Sequence, residues 1–333
     1  MKYLCSLFIG LTLASQGIAA DTLGDQSKPL KVFLLAGQSN MQGYGIISAG
    51  KDEDLDHAAA NDFKYLKDGD GEWVERKDVW YFEKSGERIC NLKPNLGAVS
   101  SRFGPKVGPE LAFGHEMGIH FDEQVLLIKC AWGGQALGGP FRSPSAGPNP
   151  NDPDNEFTGS RYRETLEITR DVLANLKKYY PEYKGQGYEL KGIFWHQGWN
   201  DGCNKDFTAE YEKNMIHFVS DIRKDLGIAD LPFIIATSGM GGKGGAVHVP
   251  QLKAAAQIDN CFAVDTIRFR GNRVNKQISH WYNNATSYCK IGAYSAKALI
   301  AVMDGKEPST EIVGHVDPNT PNPAAADNNK KKK

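Results

Sequence analysis

Ser39 stands where a short apolar run ends, in Gly37-Gln38-Ser39-Asn40-Met41, a setting that could make it a nucleophile. A serine at the tip of a tight strand-to-helix turn is held out toward solvent, and backbone N–H groups around it converge on a developing oxyanion. Gly37 lets the chain turn there without a Cβ clash. The elbow G-x-S-x-G is absent, because Met41 occupies its last position. Helix capping is the competing reading of Ser39, since serine is a preferred cap.

Three further blocks carry groups that acyl transfer would need. Gly108-Pro109-Glu110 opens a helical pattern, and a free N–H at such a start is an anion donor. Trp195-His196-Gln197-Gly198-Trp199-Asn200-Asp201 brings two side-chain amides, an imidazole and a carboxylate to one strand end. Ser279-His280-Trp281-Tyr282-Asn283-Asn284 leads into the last helical pattern. His196, beside Gln197, reads as a hydrogen-bonded wall residue, and His115, His120, His217 and His248 as structural or solvated. The Gly239-Met240-Gly241-Gly242-Lys243-Gly244 stretch matches G-x-G-x-x-G, but it follows the fourth apolar run, not the first, so it reads as a rim loop.

The elements that must position these groups alternate along the chain. Five short apolar runs, residues 31–36, 124–130, 190–195, 232–237 and 262–266, suit strands buried on both faces of a parallel sheet. Helical periodicity fills residues 109–117, 161–180, 207–226 and 288–303. This predicts one α/β domain over residues 28–305, a three-layer α/β/α sandwich with a flavodoxin-like parallel sheet and loop insertions. Residues 45–104 and 141–159 break the alternation and read as insertions over the sheet's carboxyl edge, where α/β ligands bind. Trp73, Trp80, Trp132 and Trp199 are candidates either to stack on a sugar ring or to fill the core.

Composition bounds the rest. Of 333 residues, 41% are hydrophobic, enough for a sizeable core. The net charge is −1, so no basic face is expected and no nucleic-acid partner. Residues 1–20 read as a signal peptide: Lys2, an apolar stretch from Leu4 to Leu13, then Gly17-Ile18-Ala19-Ala20 before Asp21. The stretch is too short for a stable membrane anchor, which needs about 20 residues. A secreted or periplasmic protein is expected, with a polar, disordered tail over 306–333. Cys90, Cys130, Cys203, Cys261 and Cys289 remain, an odd number that forbids complete internal pairing and leaves buried thiols or one or two disulfides. No His/Cys cluster has metal spacing, and no cofactor is expected.

Together the four blocks resemble the SGNH hydrolase superfamily, within it the sialate O-acetylesterase-like branch of carbohydrate esterases. The matching residues are Gly37-Gln38-Ser39-Asn40, Gly108-Pro109-Glu110, Gly198-Trp199-Asn200-Asp201 and His280 with Tyr282 and Asn283, spanning roughly residues 31 to 303. The segment Ile128 to Gly134, with Trp132, also looks like that branch. The resemblance implies an esterase that removes acetyl groups from a carbohydrate, with Ser39 as nucleophile and His280 as base. It implies an oxyanion hole of the Ser39 and Gly108 N–H groups and the Asn200 side chain, with Gln197 as an alternative donor. Gln38, Asn40, Trp132, His196 and Trp199 would line the substrate site. Many members carry an Asp three residues before the histidine, where this chain has Gln277. The orienting group is then Asp201, Gln277 or neither. A lipase or thioesterase of the same superfamily, or a carbohydrate-binding protein with little turnover, are the alternatives.

Overall fold

The computed structural model describes residues 21–50, 53–85, 87–98 and 104–314. Residues 1–20, read above as a signal peptide, lie outside them, as does the tail from residue 315 onward. The core is a seven-stranded sheet. In chain order its strands are β1 (Leu30–Gly37), β2 (Arg76–Glu83), β3 (Arg88–Leu92), β4 (Val125–Ala131), β5 (Tyr188–His196), β6 (Phe233–Ala236) and β7 (Cys261–Val264). Their order across the sheet is β3-β2-β4-β1-β5-β6-β7. All neighbours are parallel except β2 and β3.

The five apolar runs became β1, β4, β5, β6 and β7, for the reason their composition suggests. Every residue of β1 and β4 is buried. Phe33 and Leu35 face one apolar cluster, while Leu30, Val32, Leu34 and Ala36 face the other. Alternate side chains point to opposite faces, so a strand covered on both must be apolar throughout. One face is covered by α1 (Glu110–His120) and α5 (Ala285–Met303). The other is covered by α2 (Ser160–Ala174), α3 (Lys205–Leu226) and α4 (His248–Ala255). The periodic segment 161–180 is broken at Asn175, whose φ/ψ of −122°/28° leaves the helical region, and resumes at Leu176–Tyr179.

Two expectations need correction. The insertion 45–104 is not only a loop over the carboxyl edge. It contributes β2 parallel to β4 and the antiparallel edge strand β3. Trp80 of β2 is core, 2% exposed and stacked on Tyr180 with ring centroids 4.6 Å apart. The tail does not begin at residue 306 either. Val313 is buried and pairs with Val264, and the Gly314 N–H donates to the Ala263 carbonyl at 2.9 Å. The five described cysteines are all free, three of them buried.

Setting aside the added β2 and β3, the parallel strands run β4-β1-β5-β6-β7, the flavodoxin-like order, second-first-third-fourth-fifth. The switch point lies where β1 ends between β4 and β5, and Ser39 follows β1 there. Trp80→Ala should cost about 3–5 kcal/mol in urea unfolding, as for other buried aromatics. A loss below about 0.5 kcal/mol would mean that residues 76–83 are a surface loop after all.

Candidate active site

The turn after β1 is forced tight by its neighbours. Gly37 has φ 157°, and a Cβ there would lie 2.2 Å from the His196 carbonyl oxygen. Gly43 has φ 90°, with its own would-be Cβ 2.0 Å from the Gly108 Cα. Between them Ser39–Gln42 forms a single helical turn. No protein acceptor meets the Ser39 N–H among the described residues, so it stays available to an anion.

The side chains flanking Ser39 are braces. Gln38 is 1% exposed, and its Oε1 accepts from the Gly198 N–H at 3.0 Å and the Asn200 N–H at 3.4 Å. Its Nε2 donates to Asn200 Oδ1 at 3.1 Å and to Ser39 Oγ at 3.4 Å. Asn40 is equally buried. It donates from Nδ2 to the Ser279 carbonyl at 3.0 Å and accepts from the Tyr288 hydroxyl at 2.9 Å. Buried polar groups are costly unless paired, so these two amides lock three chain segments together. Gln38 spends both N–H bonds and both lone pairs on these contacts, whereas Asn40 makes one bond with each end of its amide.

Asn200 is half-buried. With Oδ1 taken by Gln38, its Nδ2 points toward Gly134. Gly133 lies beside the Ser39 Cβ. Of the four expected donors, Asn200 Nδ2 and the Ser39 N–H meet no acceptor among the described residues. Gly108 and Gln197, the other two expected donors, are already engaged. The Gly108 N–H donates to Glu110 Oε1 at 2.8 Å, and Glu110 is held by Lys129 at 2.9 Å with both side chains fully buried. Lys129 also donates to the Gln42 carbonyl at 2.8 Å, so this pair underpins the serine turn. Gln197 accepts from the Tyr211 hydroxyl at 2.9 Å and donates to the Gln135 carbonyl at 3.0 Å and to Asp201.

Asp201 does not serve His280. Its carboxylate accepts from the Leu137 N–H at 2.9 Å, the Gly138 N–H at 2.8 Å and Gln197. Burial outweighs these donors and raises its pKa to about 6. These bonds hold the chain at Leu137 and Gly138, just past the Gly133–Gly134 turn. Gln277 binds the His280 segment through its backbone, its carbonyl accepting from the His280 N–H at 3.1 Å. His280 Nδ1 is buried without a hydrogen-bond partner, so neither candidate orients the ring. Burial alone pulls the His280 pKa down to about 4.

The His280 turn is unusual in its backbone. Trp281, Tyr282 and Asn283 have φ of 52°, 56° and 58° in succession. Left-handed non-glycine residues cost roughly 1–2 kcal/mol each, so contacts must hold them. Trp281 Nε1 donates to His196 Nε2 at 3.3 Å, and Asn283 Nδ2 donates to the Tyr44 carbonyl at 2.6 Å. His196 also engages the Ala236 carbonyl at 3.0 Å through Nδ1, and burial lowers its pKa to about 4. His196 is fully buried, with both ring nitrogens engaged inside the protein. The sequence reading missed Tyr44, whose ring lies on that of His280 with centroids 3.9 Å apart and planes 4° apart.

At the rim, Trp132 and Trp199 are half-buried. Arg161 sits 4.9 Å over the Trp132 ring. Gly242 of the glycine-rich loop packs against Trp199 and Ile278, while Met240 in the same loop is buried. Among the described residues no direct hydrogen bond joins Ser39 Oγ to the His280 ring, a contact that often tightens only with substrate bound. No cluster of metal-ligating residues occurs among them either.

A flavodoxin-ordered sheet with serine after its first strand, Asn-Asp after a central one and histidine ahead of the last helix defines an SGNH-type hydrolase fold. A family model described as "Carbohydrate esterase, sialic acid-specific acetylesterase" matches residues 29–301, and the chain belongs to that family. Its members are carboxylic ester hydrolases. A probable carbohydrate esterase of Arabidopsis thaliana, At4g34215, is 24% identical over 248 residues, 71% of this chain and 79% of that protein. The solved structure of that Arabidopsis protein has a TM-score of 0.55 at 20% identity, covering 82% of this chain and 98% of its own. XAC1771, titled a novel carbohydrate acetylesterase from Xanthomonas citri, has a TM-score of 0.51 at 16% identity, covering 80% and 56%. NanS has a TM-score of 0.52 at 14% identity, covering 84% and 99%. At these identities the structures share the fold.

Asp201→Asn separates a loop brace from an imidazole partner. It should lower kcat/KM and cost about 1–3 kcal/mol of stability, because an amide N–H would face backbone donors. The midpoint of the acid limb should stay put. A shifted midpoint would mean that the carboxylate acts on His280.

Proposed function

We propose that the chain is an exported serine esterase that removes O-acetyl groups from a carbohydrate through an acetyl-serine intermediate. The observation that carries this reading is the tight, largely buried Ser39 turn at the switch point, with Ser39 7% exposed, tied by Gln38 to the Asn200 donor and by Asn40 to the His280 segment. Ser39 Oγ attacks the ester carbonyl carbon while His280 takes its proton. The Ser39 N–H and Asn200 Nδ2 stabilise the oxyanion, a donor of this kind being worth about 2.7–4 kcal/mol. The C–O bond to the sugar breaks and the sugar oxygen takes the proton from His280. Water, deprotonated by His280, then releases acetate from Ser39. Family membership supports a carbohydrate ester as substrate. The half-buried Trp132 and Trp199 support a sugar platform better than a lipid groove. Export rests on the N-terminal segment. Among the described residues no helix is long and apolar enough to cross a membrane.

A binding protein with little turnover is the second reading, favoured by the unpartnered His280 Nδ1. Hydrolysis of a chromogenic acetate ester decides between them. Ser39→Ala should lower kcat by about four orders of magnitude or more, and acetyl should be preferred to longer acyl chains. Equal rates for wild type and Ser39→Ala would remove the esterase reading.

The pH profile follows from the depressed His280 pKa. A base must be neutral to accept a proton, so the contribution of His280 is lost as pH drops through that pKa. The acid limb of kcat/KM should have its midpoint near pH 4, where burial sets it, well below the ordinary imidazole value of about 6.5. A midpoint at or above about 6.5 would require a carboxylate partner.

A further inference from the structure

The chemistry proposed above makes His280 cationic in the transition state, and among the described residues no carboxylate pairs with the ring. Its Nδ1 has no hydrogen-bond partner. Asp201 is bound to Leu137, Gly138 and Gln197. What does meet the imidazole is the face of Tyr44, 3.9 Å away and parallel within 4°.

We propose that Tyr44 is a positioning residue that replaces the missing carboxylate: its π face fixes the plane of the His280 ring and stabilises the imidazolium formed when Ser39 gives up its proton. The inference rests on the esterase reading for its catalytic consequence, but the ring–ring attraction can be measured without turnover.

Three observations support it. First, the stack is built rather than incidental. The Tyr44 carbonyl accepts from Asn283 Nδ2 at 2.6 Å, so the residue that presents the ring also restrains the left-handed turn behind His280. Second, Tyr44 lies just past Gly43, whose close approach to Gly108 fixes where the chain leaves the serine turn. The same short segment thus positions the nucleophile at one end and the base at the other. Third, both rings are half-buried. Attraction between a cation and an aromatic face grows as water is excluded, and is worth about 2- to 30-fold in an equilibrium. A carboxylate partner would fix the tautomer through a hydrogen bond. A stacked ring constrains the plane and favours positive charge while leaving Nδ1 without an acceptor.

The test replaces Tyr44 with phenylalanine and then with phenylalanines carrying more ring fluorines, which keep shape and drain the π face. Two readouts are taken on each protein: the His280 imidazole pKa by NMR, and kcat on a chromogenic acetate. Thermal midpoints confirm folding. Tyr44→Phe should keep kcat within about threefold. Along the fluorine series the His280 pKa should fall stepwise, by about half a unit to one unit in total, and kcat should fall with it by about 2- to 30-fold while KM changes little. Tyr44→Leu should lose at least as much kcat as the most fluorinated ring.

A pKa that stays flat across folded fluorinated variants would overturn the proposal and make Tyr44 a packing residue. So would a falling pKa with unchanged kcat in an active enzyme. If wild type and Ser39→Ala show the same rate while the pKa still falls, the esterase reading fails and the attraction between the rings stands.

Discussion

Two buried amides decide where everything at this site can be. Gln38 and Asn40 flank Ser39 in sequence, and each is bonded to a different part of the chain. Gln38 reaches the segment after β5 and turns Asn200 so that its N–H bonds point outward. Asn40 reaches the backbone beside His280 and the start of α5. A buried amide without partners is expensive, so both connections are held by the cost of breaking them. The hydroxyl between them inherits its surroundings from its neighbours.

Below this lattice the charges are kept away from the reacting centre. Glu110 and Lys129 neutralise each other in full burial and use their remaining capacity on the Gly108 N–H and the Gln42 carbonyl. Asp201 holds a loop. His196 is neutral and enclosed. The site is thus built from amides, backbone N–H groups, one imidazole and an aromatic face. An ester needs no more than this. Its carbonyl asks for neutral donors at the oxyanion, and an alkoxide leaving group asks for one shared proton.

Much of the architecture could be read from the sequence because two-sided burial leaves continuous apolar runs, as in β1 and β4. β2 escaped for the complementary reason. Arg76, Asp78 and Glu83 interrupt its run, and these charges tolerate burial only because Arg76 grips Asp78 and Glu83 pairs with Arg88. A partner two or five residues away does not announce burial in a linear string. At the site the motifs name segments that Gln38 and Asn40 join by hydrogen bonds, but residue type alone could not say which polar groups were free. Gln197, Gly108 and Asp201 have the right chemistry, and all three are engaged inward by contacts such as Tyr211, Glu110 and Leu137. Tyr44 was invisible because a stacking partner carries no spacing signature.

The central claim is that Ser39 is a nucleophile made reactive by His280. A fluorophosphonate ester that modifies activated serines tests it directly, read by mass spectrometry of the digested protein. One adduct per chain is expected, on the peptide carrying Ser39, with labelling at least a hundredfold slower in His280→Ala. Labelling on another residue, or an undiminished rate without the imidazole, would contradict it.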